Sequence, residues 1–537
     1  MSPRLVLKSK ITKLLTRALL AGSVFVGSFL YSGCSGEKAS QKKADPALTV
    51  GLRWEPRTFN PFYSVDSASF FAQSLIYAGL VRYGSTGEIE PDLASGFTIS
   101  DSGKVYTFDL RPNLRFSDGS PLTPADVVRS IKEAAGKRSP FAKNFQALEK
   151  IVVAGNKIEV RFSGPDITLL SRFADLKVLP AGALDESNRK RSSLSRQPVG
   201  SGPFVIRRWL SGQQINFVRN LHYWDKQPAY RELVWRVIPD KKLLAIALLR
   251  NEIDLASLDG REARLLVEEA DYLKVERLKG ARVVFLGFNT SRWPFNIQAV
   301  RQAISMMIDR RKINEKLFGD YSHVPASEFT EAKEGKILFP YDLKRAEMKM
   351  KEAGFERREA GWFYAKNPDK EPLSIRVATV TDFSDIGQVV AAYLEKAGVK
   401  AEFEIVEYST LKDQYLKDGK FDTVLFSRSV GPMPDPRMFW STSGSLNYSR
   451  YHSPTMDKLI AYGSSAATLA EKNTYNTRVG DILALESPWI YLARPDLLIV
   501  HNKRVGNVVF PGQRKDGLPW NNELLNARLW SISRQKD

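Results

Sequence analysis

QPVGSGPFVIRRWLSGQQINFVRNLHYWD, residues Gln197 to Asp225, reads as a glycine-rich entry, a strand, a tight turn and a second strand. Gly200, Gly202 and Pro203 suit a bend that ordinary residues resist. Phe204 to Trp209 and Ile215 to Val218 are rich in aromatic and β-branched residues, and Ser211-Gly212 lies in the short connection, so a hairpin is the economical reading. Composition alone takes this stretch no further, and what the hairpin belongs to depends on its flanks.

Upstream, Leu48 to Leu52 is a short strand, and PRTFNPF at 56 to 62 forces an irregular turn. Ser67 to Leu80 then has helical spacing of apolar residues. EIEPDLASGFTISDSGKVYTFDLRPNLRFSDGSPLTPADVVRSIKEA, residues 88 to 134, contains a hairpin turn at Asp101 to Gly103, a strand at Val105 to Leu110 and a second turn at Asp118-Gly119. Thr123 is a good N-cap for a helix starting at Pro124, with Asp126 in its first turn. Asp118 and Asp126 are better explained as a turn aspartate and a helix-start aspartate than as paired acid-base carboxylates. Ile151 to Phe162 is another hairpin, around Gly155-Asn156.

Downstream, Leu243 to Arg250 reads as a helix, followed by Asn251, a residue that tolerates the left-handed conformation. Val283 to Asn289 is an apolar strand, and a helix from about Gln298 puts Val300, Ile304 and Ile308 on one face. After Ile313 helices and strands alternate: a helix at 341–354, a strand at 373–379, a helix at 387–397 capped by Gly398, a strand at 399–406, a helix at Tyr408 to Lys417 and a strand at Thr423 to Phe426. Such alternation argues for a parallel-rich α/β lobe.

The chain's 537 residues exceed what one hydrophobic core supports, so two or three packed units are expected, and 43% apolar content argues for a folded protein. The formal charge is +19; Arg4, Lys8, Lys10, Lys13 and Arg17 precede Cys34, so cleavage there removes five charges and leaves +14. Lys and Arg are scattered rather than gathered into an aromatic-interleaved tract, which argues against nucleic-acid binding. Cys34 is the sole cysteine, which excludes an internal disulfide and a cysteine-based metal site. It ends an uncharged run, ALLAGSVFVGSFLYSG at 18–33, that is short for a membrane span, and Ser32-Gly33-Cys34 resembles a bacterial lipoprotein signal with the cysteine acylated. Tyr31 departs from the leucine usual there. Residues 35–46 read as a polar tether.

Enzyme signatures are missing: the sequence has no G-x-S-x-G, Walker A, G-x-G-x-x-G or HExxH motif. His222, His323, His452 and His501 lie far apart and read as surface or packed residues, so no metal site and no cofactor are expected.

The string from Gln197 to Asp225, closing on RN-x-x-YWD, resembles the signature of the peptide and nickel class of ABC-importer solute-binding proteins. So do P-x-L-A-x-x-F, Y-T-F-x-L-R and F-S-D-G-S-P-L-T-P-A-D-V within 88–134, NEIDLA at 251–256, WPFNIQAVRQAISMMIDRRKI at 293–313, SPTMDKLI at 453–460 and ESPWIYLARPDLLIV at 486–500. This resemblance is collinear from about residue 47 almost to the end.

The resemblance implies an α/β, bilobed periplasmic-binding-protein fold of type II, cluster C-like, with an extra subdomain. Its expected parts are a signal peptide at 1–33, a tether at 34–46, lobe I at 47–81, 196–284 and 497–537, the extra subdomain at 82–195 and lobe II at 285–496. It implies an extracytoplasmic, lipid-anchored monomer that closes on a peptide or other small solute and delivers it to ABC permease subunits. A ligand sensor, a peptide-holding chaperone and a carrier of a metal chelate are the alternatives. The implied ligand contacts are Ser64, Val65, Asp66 and Ser67 after the NPF turn, and Arg428, Val430 and Asp435 in SRSVGPMPDPRMFW at 427–440. Relatives hold a peptide's α-amino group with an aspartate three residues before an acidic-Pro pair; here the pair is Asp435-Pro436 and that position is Pro432. With Arg428 and Arg437 beside it, the loop is expected to disfavour free-amine di- and tripeptides and to favour N-blocked or anionic ligands.

Overall fold

The computed structural model describes residues 47–64, 66–84, 88–137, 139, 141–184, 196–258, 263, 265–266, 269–330, 337–367, 371–430, 434–466, 468–508 and 527–533. Cys34, the tether, Val65 and Pro432 lie outside the described residues.

The hairpin forms as read, with Phe204–Leu210 antiparallel to Gln214–Arg219 and Gly212 at φ 73° in the turn. Glu55 seals that turn by accepting hydrogen bonds from the Gly212 amide at 3.0 Å and the Ser211 hydroxyl at 3.3 Å. The glycines matter for space. A Cβ on Gly202 would stand 2.6 to 2.8 Å from backbone atoms of Ile76 and Tyr77, and the Gly202 amide instead donates to the Ile76 carbonyl at 2.8 Å. The RN-x-x-YWD residues hold the same bend: Asn220 donates to the Gly202 carbonyl at 2.8 Å and Trp224 to Asp92 at 3.2 Å, while Asp225 pairs with Arg82 and Arg528 at 3.2 Å each. The motif is therefore a clamp between distant segments.

The hairpin is one edge of a seven-stranded sheet. Its order is Leu273–Leu278, Leu497–Asn502, Leu255–Leu258, Ala47–Leu52, Glu232–Val237, Gln214–Arg219 and Phe204–Leu210. A six-stranded sheet follows the order Ser322–His323, Trp489–Pro495, Arg282–Phe288, Thr423–Ser429, Ser374–Thr379 and Lys400–Ile405. The chain crosses between the two sheets at 279–281 and at Asp496. A third, four-stranded antiparallel sheet is built from Ala94–Ser100, Val105–Leu110, Lys157–Phe162 and Leu148–Ala154. Phe173 packs against it with ring centroids 4.8 Å from Phe108 and 5.8 Å from Tyr106. Among the described residues no helix is long and apolar enough to cross a membrane.

Most local expectations hold for the reasons given. Thr123 donates its amide to Asp126 at 2.8 Å in a capping box, Asp118 accepts from Ser120 in its turn, and Asn251 takes φ 56°. Three differ. The helix expected to reach Leu80 is Ser67–Ile76, because Tyr77 turns extended where Ile76 receives Gly202. The segment Tyr408 to Lys417 is one α turn, Tyr408–Thr410, continued by a wider π-helix, Leu411–Lys417. The six-stranded sheet is also less parallel than expected: Ser374–Thr379 runs parallel to both neighbours, whereas Arg282–Phe288 is antiparallel to both of its own. The antiparallel strands include the two that carry the chain across from the other sheet, so connectivity overrides the βαβ pattern there.

Candidate functional site

Loops at the carboxyl ends of parallel strands are where an open α/β sheet forms a crevice. Ser374–Thr379, Lys400–Ile405 and Thr423–Ser429 share that polarity. Their exits lead to Phe383, Tyr408 and Val430. Phe426 ties these together, with ring centroids 6.1 Å from Phe383 and 5.9 Å from Tyr408. Tyr408 remains 47% exposed. Residues from the seven-stranded side reach this edge. Arg53 pairs with Asp382 at 3.3 Å, and the Tyr408 phenol, raised first by burial, is lowered by Arg57 and raised further by Asp66.

Several residues expected to meet ligand are engaged within the protein. Ser64 exchanges hydrogen bonds with Gln73 at 2.8 and 3.2 Å. Asp66 caps the helix Ser67–Ile76, accepting from the Ser69 amide and hydroxyl at 2.8 Å each, while Ser67 is exposed at its start. The Ser64 and Asp66 side chains are thus committed within the protein. Val430 is buried, and its amide donates to the Ala281 carbonyl at 2.9 Å, beside one crossing between the sheets.

Arg428 differs from expectation most. Its guanidinium meets both oxygens of the fully buried Glu328 carboxylate at 2.9 Å and lies 3.5 Å over the Phe439 ring. Glu328 also accepts from Trp440 Nε1 at 2.5 Å. Burial pushes the Glu328 carboxyl up, and Arg428 opposes this most. A guanidinium so held is committed within the protein and does not present an open anion-binding fork.

Asp435 and Arg437 form a second ionic group, joined by residues far away in sequence. Arg437 donates to Asp435 at 2.5 to 3.0 Å, to Asp166 at 2.7 Å and to the Thr168 hydroxyl at 2.8 Å, reaching 271 positions back along the chain. Arg172 donates to Asp166 and Thr168 at 2.8 Å each. Burial alone would raise the Asp435 carboxyl, but the hydrogen bonds and charge of Arg437 outweigh it and hold it at about 2. The Asp435 carboxylate is therefore engaged and is a poor anchor for a ligand ammonium. Asp166, Arg172, Glu328 and Tyr408 were missed in the sequence reading. No local motif marks them, because their roles arise from long-range contacts.

Of the histidines, His452 meets the Thr442 hydroxyl at 2.9 Å and the buried His501 meets the Asn502 carbonyl at 2.9 Å. Among the described residues no group of three His, Cys, Asp or Glu side chains is arranged to hold a metal ion.

Residues 88–450, more than half of the chain, match the family described as bacterial extracellular solute-binding proteins, family 5 Middle. The oligopeptide-binding protein AppA of Bacillus subtilis is 25% identical over 90% of this chain and 94% of its own length. The solved structure of AppA from Bacillus subtilis with a nonapeptide superposes with a TM-score of 0.79 at 22% identity, covering 92% of this chain and all of that one. That of NikZ from Campylobacter jejuni with Ni(L-His) gives 0.78 at 23% identity, covering 90% and 99%. At these identities the structural likeness establishes the fold, the α/β architecture of these binding proteins. With the match over 88–450, the chain belongs to the family 5 bacterial extracellular solute-binding proteins.

Proposed function

We propose that this protein is the extracytoplasmic binding component of an ABC importer and takes a peptide or peptide-like solute in the crevice between its two larger sheets. The supporting observation is the placement of Phe383, Tyr408 and Val430 after the carboxyl ends of parallel strands, with ion pairs such as Arg53–Asp382 reaching across to them. Such pairs can break and re-form as lobes hinge. The lobes run 47–81, 196–284 and 497–537 for the first and 285–496 for the second, with 82–195 as the extra subdomain. Ser64, Val65, Asp66 and Ser67 face the ligand from the first lobe, chiefly through backbone, and Val430 borders it from the second; Arg428 and Asp435 shape the wall from their ion pairs. A binding-competent minor state is stabilised by the solute, so affinity is coupled to closure. Small-angle scattering on adding a tryptic peptide mixture should show a smaller radius of gyration. An unchanged radius with peptide bound would sink the closure mechanism, and failure to retain any peptide would sink the peptide reading.

The protein acts as a monomer held to the membrane by acylated Cys34, a reading that rests on the basic start, the apolar run and Ser32-Gly33 before the cysteine. Cys34→Ala should move the processed protein from the membrane fraction to the soluble fraction. Retention of a processed variant in the membrane would count against the anchor.

A further inference from the structure

Arg310 opens the helix Arg310–Phe318 and is only 7% exposed. That helix is fixed to the strand Trp489–Pro495, because Asn314 donates to the Leu492 carbonyl at 2.6 Å. Of the Arg310 guanidinium, Nη2 donates to the Phe339 carbonyl, while Nε is buried with no hydrogen-bond partner. Among the described residues no carboxylate pairs with it, and burial alone lowers its pKa to about 10. Two other largely buried arginines are better provided: Arg428 holds Glu328 at 2.9 Å, and the Glu486 carboxylate offsets part of the burial of Arg301. A cavity of about 20 Å³ lies against Arg310, lined also by Ser305, Phe339, Ser487, Trp489 and Tyr491 and, among the described residues, by no Asp or Glu. That volume admits one particle of about a water's size.

A guanidinium held away from water without a counter-charge is unfavourable, and an anion set against it supplies both the charge and an acceptor for Nε. We propose that this cavity is a binding site for one monatomic anion, chloride in ordinary media, seated against Arg310 between the helix Arg310–Phe318 and the strand Trp489–Pro495. A water there satisfies Nε but leaves the charge unbalanced. A carboxylate or phosphate group exceeds the volume, so the site is separate from the solute crevice and stands independently of the peptide reading. The anion ties together three pieces distant in sequence: the helix start, the segment at Phe339 and the strand that carries Trp489 and Tyr491. Its role is to stabilise the packing of that helix on the six-stranded sheet.

The direct test is crystallographic, on the full chain grown in sodium bromide with data collected at the bromine absorption edge. An anomalous peak in contact with Arg310 inside the cavity is expected. Ordinary density there without anomalous signal, a water only, overturns the assignment, as do bromide peaks confined to surface lysines and arginines. The solution test compares sodium chloride with sodium gluconate at equal ionic strength, since gluconate is too large for the cavity. Chloride should raise the melting temperature of wild type saturably, by about 1–2 °C, because an anion that binds only the folded chain stabilises it by mass action. Arg310→Met, which removes the charge and keeps an apolar chain of similar length, should show no such rise. An equal rise in both proteins places the chloride effect elsewhere and overturns the site. Circular dichroism in gluconate establishes that the variant is folded; if it is not, the bromide peak in wild type decides alone.

Discussion

Glu328→Ala should lower unfolding stability by about 3–5 kcal/mol in urea titrations followed by tryptophan fluorescence, because it leaves a buried guanidinium without its carboxylate. Glu328 is fully buried, and its carboxylate receives Arg428 at 2.9 Å and Trp440 at 2.5 Å. Arg428 has one side of its guanidinium on the Phe439 ring, 3.5 Å away, and its Nε is buried without a hydrogen-bond partner. Removing Glu328 thus withdraws the counter-charge from a cation that the ring and the sheet keep from water. The control is Glu328→Ala combined with Arg428→Met, which removes both charges and fills the space with a flexible apolar chain. It should recover most of the loss, since exchanging a buried ion pair for packed apolar groups is often neutral. A loss below about 1 kcal/mol in the single variant would mean that water reaches Arg428.

How much could be read from the sequence depended on the range of the interaction. Turns, caps and hairpins are decided by neighbours: Asn251 reached φ 56°, the helix began at Gln298, and Asp118 and Asp126 serve the scaffold. Gly202 was legible only as a bend; its reason, the Ile76 carbonyl packed against it, lies 126 positions away. The candidate site shows the limit clearly. Arg428 and Arg437 were correctly noticed as cations near the 430s loop, yet charge in a string does not reveal whether a partner is waiting. Glu328 and Asp166, at separations of 100 and 271 residues, were those partners. Strand polarity failed for a related reason: the alternating pattern specifies βαβ units, but the strands that cross between sheets run as the crossing requires.

Gly280→Ala should be strongly destabilising, by about 3 kcal/mol or more, because the added methyl meets backbone and not a movable side chain. Gly280 lies in one crossing between the sheets, and a Cβ there would stand 1.6 Å from the Pro495 carbonyl oxygen and 3.4 Å from Asp496 Cα in the other crossing. Close contacts fix the two strands around this point. Arg277 donates to Asp496 at 2.6 Å, the Asp496 amide to Tyr321 at 2.8 Å and the Val430 amide to Ala281 at 2.9 Å. Accommodating a methyl group therefore requires the crossings to part, which stretches these bonds and displaces Val430. Gly96→Ala is the matching control, because a Cβ at Gly96 meets nothing within 4 Å, and its stability should stay within about 0.5 kcal/mol of wild type. Urea unfolding gives the energies, and peptide retention gives the consequence for the crevice. If Gly280→Ala matched Gly96→Ala in stability and still retained peptides, the crossings would have to lie far enough apart in solution to admit a methyl group, and their close packing at Gly280 would be wrong.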